Sequence, residues 1–120
     1  MGDLTKNFDR VEFACPCGCG FDEIDLGLVD TLQRIRDVLG VPLRINSGCR
    51  CLAHNQAVGG VPDSAHRRGR AADVSCWDAE TRFRLMKAAL GFDFLRIGVA
   101  KTYMHLDNDP FLPEPRIWVY

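Results

Sequence analysis

The sequence predicts an α+β fold, a small and mostly antiparallel sheet with helices packed on one face. Three observations lead there. Leu28, Leu32, Ile35 and Leu39 recur at helical spacings of four and three. A second helical run follows Asp78, a good N-cap residue. The remaining apolar runs are short and bounded by glycine, proline and polar residues, which suits strands rather than further long helices.

At 120 residues the chain fits a single domain spanning residues 1–120. A hydrophobic content of 47% with 26% charged residues is that of an ordinary globular protein and excludes disorder. The net charge of -1 leaves no global attraction toward nucleic acid or anionic lipid. No apolar run approaches the ~20 residues of a membrane helix, so no membrane insertion is expected. Met1 to Arg10 is polar and acidic and lacks the pattern of a secretory signal, so synthesis in the cytoplasm is expected, as is a monomer.

The elements follow in order. Cys15 to Gly20, rich in cysteine and glycine, reads as a tight irregular loop. A helix over Leu26 to Leu39 starts at the N-cap Asp25 and ends at Gly40, with Pro42 preventing its return; Gln33, Arg34, Arg36 and Asp37 fall on its polar face. Leu43 to Asn46 is a short strand, Ala53 to Val58 a brief helix stopped by Gly59-Gly60, and Val61 to Gly69 a loop. Arg70 to Ser75 is a buried strand, and a helix runs from Asp78 through Phe83, Met86 and Leu90 to Gly91. Strands at Phe94 to Val99, Tyr103 to Asp107 and Arg116 to Tyr120 close the chain. Trp77, Phe111 and Trp118 read as core or cleft wall, and Arg67, Arg68 and Arg70 as a solvated loop face without the aromatic interleaving of a nucleic-acid site.

His66 lies in the central loop, with Asp73 seven residues on inside the apolar strand and Gly69 between them to make the turn. His105 lies in a later strand with Asp107 on the same face. Two imidazoles and one carboxylate suit a catalytic zinc, which takes three protein ligands and leaves a fourth position for water. A lone histidine is more often a hydrogen-bonded core residue. A carboxylate inside Ala71-Ala72-Asp73-Val74 does need a partner, whether a metal, Arg70 or backbone N–H groups. Spacing alone leaves both readings open.

Ser47-Gly48-Cys49-Arg50-Cys51, Asn55, Gly59-Gly60, Ser64-Ala65-His66, Gly69-Arg70-Ala71-Ala72-Asp73 and His105-Leu106-Asp107 together resemble the zinc D-Ala-D-Ala carboxypeptidase family. That family shares its fold with the hedgehog signalling domain and includes phage endolysins and murein endopeptidases. The resemblance runs from about Phe13 to Asp107 and implies a zinc peptidase acting on peptidoglycan stem peptides, as a carboxypeptidase or an endopeptidase. It implies His66, Asp73 and His105 as metal ligands, Arg50 as the group that stabilises the oxyanion, and Ser64 as a substrate contact. Many relatives carry an acid three residues before the last histidine, where this chain has Thr102. Asp107 is the substitute general base that the resemblance suggests, or else it orients an imidazole; Tyr103 is a possible proton donor or substrate contact, and His54 a further candidate. Two rival expectations stand beside this one: a non-catalytic zinc domain of the same fold, and a structural component of a phage particle. Action at the cell wall would follow release, for which a phage holin is one route.

Six cysteines remain. Clusters in a reducing compartment point to metal or free thiols more than to a disulfide framework. Cys15, Cys17, Cys19, Cys49 and Cys51 are therefore candidate ligands of a second, structural metal. A disulfide such as Cys15 to Cys51, and plain thiols in small core positions, are the alternatives.

Overall fold

A computed structural model describes residues 2–120. Helix α1 (Leu26–Leu39) has the expected bounds: the Asp25 side chain accepts from the Leu28 amide, and Gly40 closes the last turn in the left-handed conformation. Leu28, Leu32 and Ile35 are fully buried, each contributing roughly 1.5–3 kcal/mol. Gln33 departs from the periodicity. Instead of facing solvent it is buried, its Oε1 accepting from Thr5 Oγ1 and the Asn7 amide and its Nε2 donating to Asn7 and Asp37. The N-terminal segment folds over that part of α1, a contact no local pattern encodes.

Strand β1 (Ile45–Ser47), helix α2 (Leu52–Ala57) and a short 3-10 turn at Ala65–Arg68 lead into strand β2 (Ala71–Ser75). The 3-10 turn sits inside the segment expected to be irregular. Helix α3 (Ala79–Gly91) begins at Asp78, whose carboxylate accepts from the Thr81 amide. Its inner face is Leu85, Ala88 and Ala89; Phe83 and Leu90 are exposed, so one leucine and two alanines rather than Phe83 and Leu90 meet the core. Strands β3 (Arg96–Val99), β4 (Tyr103–Asp107) and β5 (Arg116–Val119) complete the chain.

The strands form one five-stranded sheet in the order β1-β2-β4-β3-β5, antiparallel except for the parallel pair β3 and β5. Ala72, Val74, Ile97, Met104 and Leu106 face α1 and α3 and build the core. The opposite face carries a row of register partners: Ser47 opposite Asp73, Asp73 opposite His105, His105 opposite Gly98, and Gly98 opposite Trp118. Alternation along β2, β3 and β4 thus separates a greasy face from a chemical one. Trp77 and Phe111 are exposed, contrary to their expected place in core or cleft wall; of the three, only Trp118 reaches the cleft. Among the described residues no helix is long and apolar enough to cross a membrane.

Candidate metal centre

Three side chains from separate elements meet at the floor of a cleft of about 620 Å³. His66 stands in the 3-10 turn, which Ser64 caps by accepting from the His66 amide. The turn reverses at Gly69, with φ 68°, where a side chain would strike the Glu23 carbonyl. Asp73 comes from the middle of β2 and His105 from the middle of β4, directly paired. One ligand atom from each of His66, Asp73 and His105 lies within 4.8 Å of the others, and all three residues are buried.

The outer edge of each imidazole is committed. His66 Nδ1 donates to the Gly48 carbonyl at 2.6 Å, and His105 Nε2 donates to Asp107 Oδ2 at 2.6 Å. A carbonyl and a carboxylate can only accept, so these two nitrogens carry the hydrogens. The inner nitrogens, His66 Nε2 and His105 Nδ1, then face the same oxygen, Asp73 Oδ1, at 3.2 and 3.0 Å. Acceptors converging on one point need positive charge between them.

The titration of the groups follows the same logic. Burial lowers the pKa of His66 and outweighs the pull of Asp73, so its neutral form with an inward lone pair is favoured. For His105 burial also opposes the charge, but hydrogen bonds to Asp107 and Asp73 outweigh it and raise the pKa. Burial alone would raise Asp73; the hydrogen bonds from His105 and His66 instead hold it well below the usual carboxylate range. A proton on His105 satisfies Asp73 but leaves the His66 lone pair without a donor. A divalent cation satisfies all three, and this nitrogen-rich donor set with an open side fits one.

Around the ligands, Arg50 is pinned by three neighbours. Its Nη2 meets Asp73 Oδ2 at 3.0 Å, its Nε donates to Ser47 Oγ at 2.9 Å and its Nη1 to Asn55 Oδ1 at 3.3 Å. Arg50, not Arg70, is therefore the guanidinium paired with Asp73; Arg70 lies 3.7 Å from Asp25. Ser64, Tyr103, Trp118 and Tyr120 also line the cleft. Asp107 is fully buried, with its second oxygen taken by Arg96 Nε at 2.9 Å. His54, on α2, is not among the cleft-lining residues.

Two groups escaped the sequence reading. Arg96 clamps Asp107 and stacks over Trp118 at 5.0 Å, and Trp118 in turn leans on His105 at 5.3 Å. The available signal was the alternation of β3, which puts Arg96 and Gly98 opposite the apolar Ile97. Gly98 has no space for a side chain, because a Cβ there would lie 2.6 Å from Trp118 Nε1. The cysteines divide differently from the expectation. Cys15, Cys17, Cys19 and Cys51 come together, whereas Cys49 is buried in the core and is not part of that group.

A family model described as Peptidase M15 matches residues 6–107, most of the chain and all three ligand candidates. That match points to a metallopeptidase. No curated protein matches the chain.

Proposed function

The chain belongs to the peptidase M15 family, and from that premise we propose that it is a zinc peptidase hydrolysing peptide bonds in the stem peptides of peptidoglycan, at the cell wall. The observation that carries this reading is the convergence of His66 Nε2, His105 Nδ1 and Asp73 Oδ1 beneath an open cleft. Zinc held by these residues would supply Lewis acidity toward a carbonyl and render water nucleophilic near neutral pH.

The chain's own residues do the rest. Gly48 and Asp107 hold the two imidazoles in the tautomers that turn a lone pair inward. Arg50, held by Ser47, Asn55 and Asp73, keeps guanidinium hydrogens for the oxygen of a scissile carbonyl as it gains charge. Ser64 and Tyr103 offer hydroxyls to the peptide, and Trp118 and Tyr120 wall the cleft. Asp107 fits the role of orienting His105 better than that of free base, since both its oxygens are engaged.

That same engagement favours a second reading, a zinc domain of this fold that binds its ligand without cleaving it. Digestion of purified peptidoglycan, with and without zinc, followed by mass spectrometry of the released muropeptides decides between them. New peptide termini that appear only with zinc are expected, and their masses identify the bond. A folded, zinc-loaded protein that leaves every stem peptide intact would establish the binding module instead.

A further inference from the structure

Next to Arg50 in the chain, Cys51 belongs to a second cluster that the peptidase reading does not use. We propose that Cys15, Cys17, Cys19 and Cys51 form a closed tetrathiolate site for a structural zinc ion. The proposal stands independently of the peptidase activity.

Geometry carries it. Cys15 Sγ lies 3.5 Å from Cys17 Sγ and 3.9 Å from Cys51 Sγ, and Cys17 Sγ lies 3.5 Å from Cys51 Sγ. The sulfur of Cys19 completes a set of four within 4.8 Å. Zinc–thiolate bonds of about 2.3 Å place the sulfurs of a tetrahedron about 3.8 Å apart. The observed separations match that edge, and all exceed the ~2.05 Å of a disulfide. An all-sulfur set of four is soft and complete, which suits zinc and leaves no position for water or substrate.

The backbone supports this arrangement. Gly18 and Gly20 take φ values of 82° and 88°, turning the loop so that its three alternate cysteines share one side. Cys51 caps α2, with the His54 amide directed at its sulfur at 3.4 Å. A thiol is a weak acceptor for such a cap, whereas a metal-bound thiolate is a strong one.

The position gives the ion a purpose. Cys51 follows Arg50, whose amide donates to the His66 carbonyl at 3.0 Å. The loop that carries the other three cysteines continues to Glu23, whose carbonyl packs against Gly69, and the Asp25 amide donates to Gly69 at 2.7 Å. A staple at the four sulfurs therefore braces the His66 turn from two directions. Within the segment between Cys15 and α1 the Cys15 amide donates to the Phe21 carbonyl at 2.8 Å and Ile24 is buried in the core.

Native mass spectrometry of the full chain purified under reducing conditions should count two zinc ions. Replacement by cobalt should produce the intense near-ultraviolet charge-transfer bands of a tetrathiolate centre. The double change Cys17→Ser with Cys19→Ser should lose one ion and those bands, whereas His66→Ala should lose the other ion and keep them. Should the cysteine variant not fold, cadmium-113 resonance of the unaltered protein decides, through a strongly deshielded tetrathiolate signal. A wild-type chain holding one zinc and no such bands, a mass two hydrogens short for each disulfide, or iron in place of zinc would overturn the proposal.

Discussion

Asp107 Oδ2 accepts from His105 Nε2 at 2.6 Å, on the edge of the imidazole opposite to the one that faces Asp73. The ring is thereby fixed in place and its proton assigned, while Arg96 holds the other Asp107 oxygen. An aspartate two residues beyond His105 thus bears on the proposed metal centre through that imidazole.

Asp107→Ala should therefore lower zinc affinity about 10–100-fold, the usual cost of losing such a partner, with activity falling alongside it. Asp107→Asn, whose carbonyl can still accept from Nε2, should recover most of the affinity. Zinc titration against a competing chelator measures both. Activity abolished in Asp107→Ala at undiminished zinc affinity would instead identify Asp107 as the base.

His66→Ala and Asp73→Ala should each lose the ion of this centre, read as one zinc fewer per chain by metal analysis. Asp73→Ala also strips Arg50 of its carboxylate partner in a nearly buried position. Removal of one member of a buried pair costs about 3–5 kcal/mol, so this variant should be the less stable of the two in denaturant titrations.

Arg50→Lys keeps the charge but not the three-way fork that joins Ser47, Asn55 and Asp73. Its kcat on a stem-peptide substrate should fall about 100–1,000-fold, the range for a lost oxyanion donor, while zinc stoichiometry is unchanged. Equal kcat in the lysine variant would show that the guanidinium takes no part in the chemistry.

Gly98→Ala puts a methyl group 2.6 Å from Trp118 Nε1 and 2.8 Å from Tyr120 Cε2. Both rings must move away from residue 98, and overpacking of this kind costs about 1–3 kcal/mol. A lower denaturation midpoint and altered Trp118 fluorescence should appear together.

Zinc affinity should fall on acidification. The His105 pKa lies above its ordinary 6.5, because Asp107 and Asp73 outweigh the burial that opposes charge, and an incoming ion must displace that proton. Affinity should rise as pH climbs through this raised value and then level off; calorimetry in buffers of different ionisation enthalpy measures the protons released. In metal-free protein the signs differ by group. His105, raised on folding, stabilises fully below pH 6.5 and loses that contribution as pH rises through its folded value. Asp73, lowered on folding, stabilises above its ordinary 3.8 and loses that contribution as pH falls toward its folded value. Denaturation of the metal-free chain across pH should show both losses.

How much was readable in advance depends on the range of the interaction. The bounds of α1 were legible because Asp25 and Gly40 act on their own helix ends. Strand β4 was legible because Tyr103 to Asp107 alternates between faces. Helix α3 was legible as an element but not in its orientation, since a run containing both Leu85 and Phe83 does not say which of them meets the core.

By itself, then, the sequence determined the α+β class and the order of the main elements, because chain-local spacing and alternation set those, while its resemblance to the zinc D-Ala-D-Ala carboxypeptidase family singled out His66, Asp73 and His105. Only the tertiary structure decided that Arg50 rather than Arg70 pairs with Asp73, that Asp107 turns to the outer edge of His105, and that Cys51 rather than Cys49 joins the N-terminal cysteines. Each of these choices depends on cross-strand register and side-chain direction between segments far apart in the chain, and neither is written in any local run of residues.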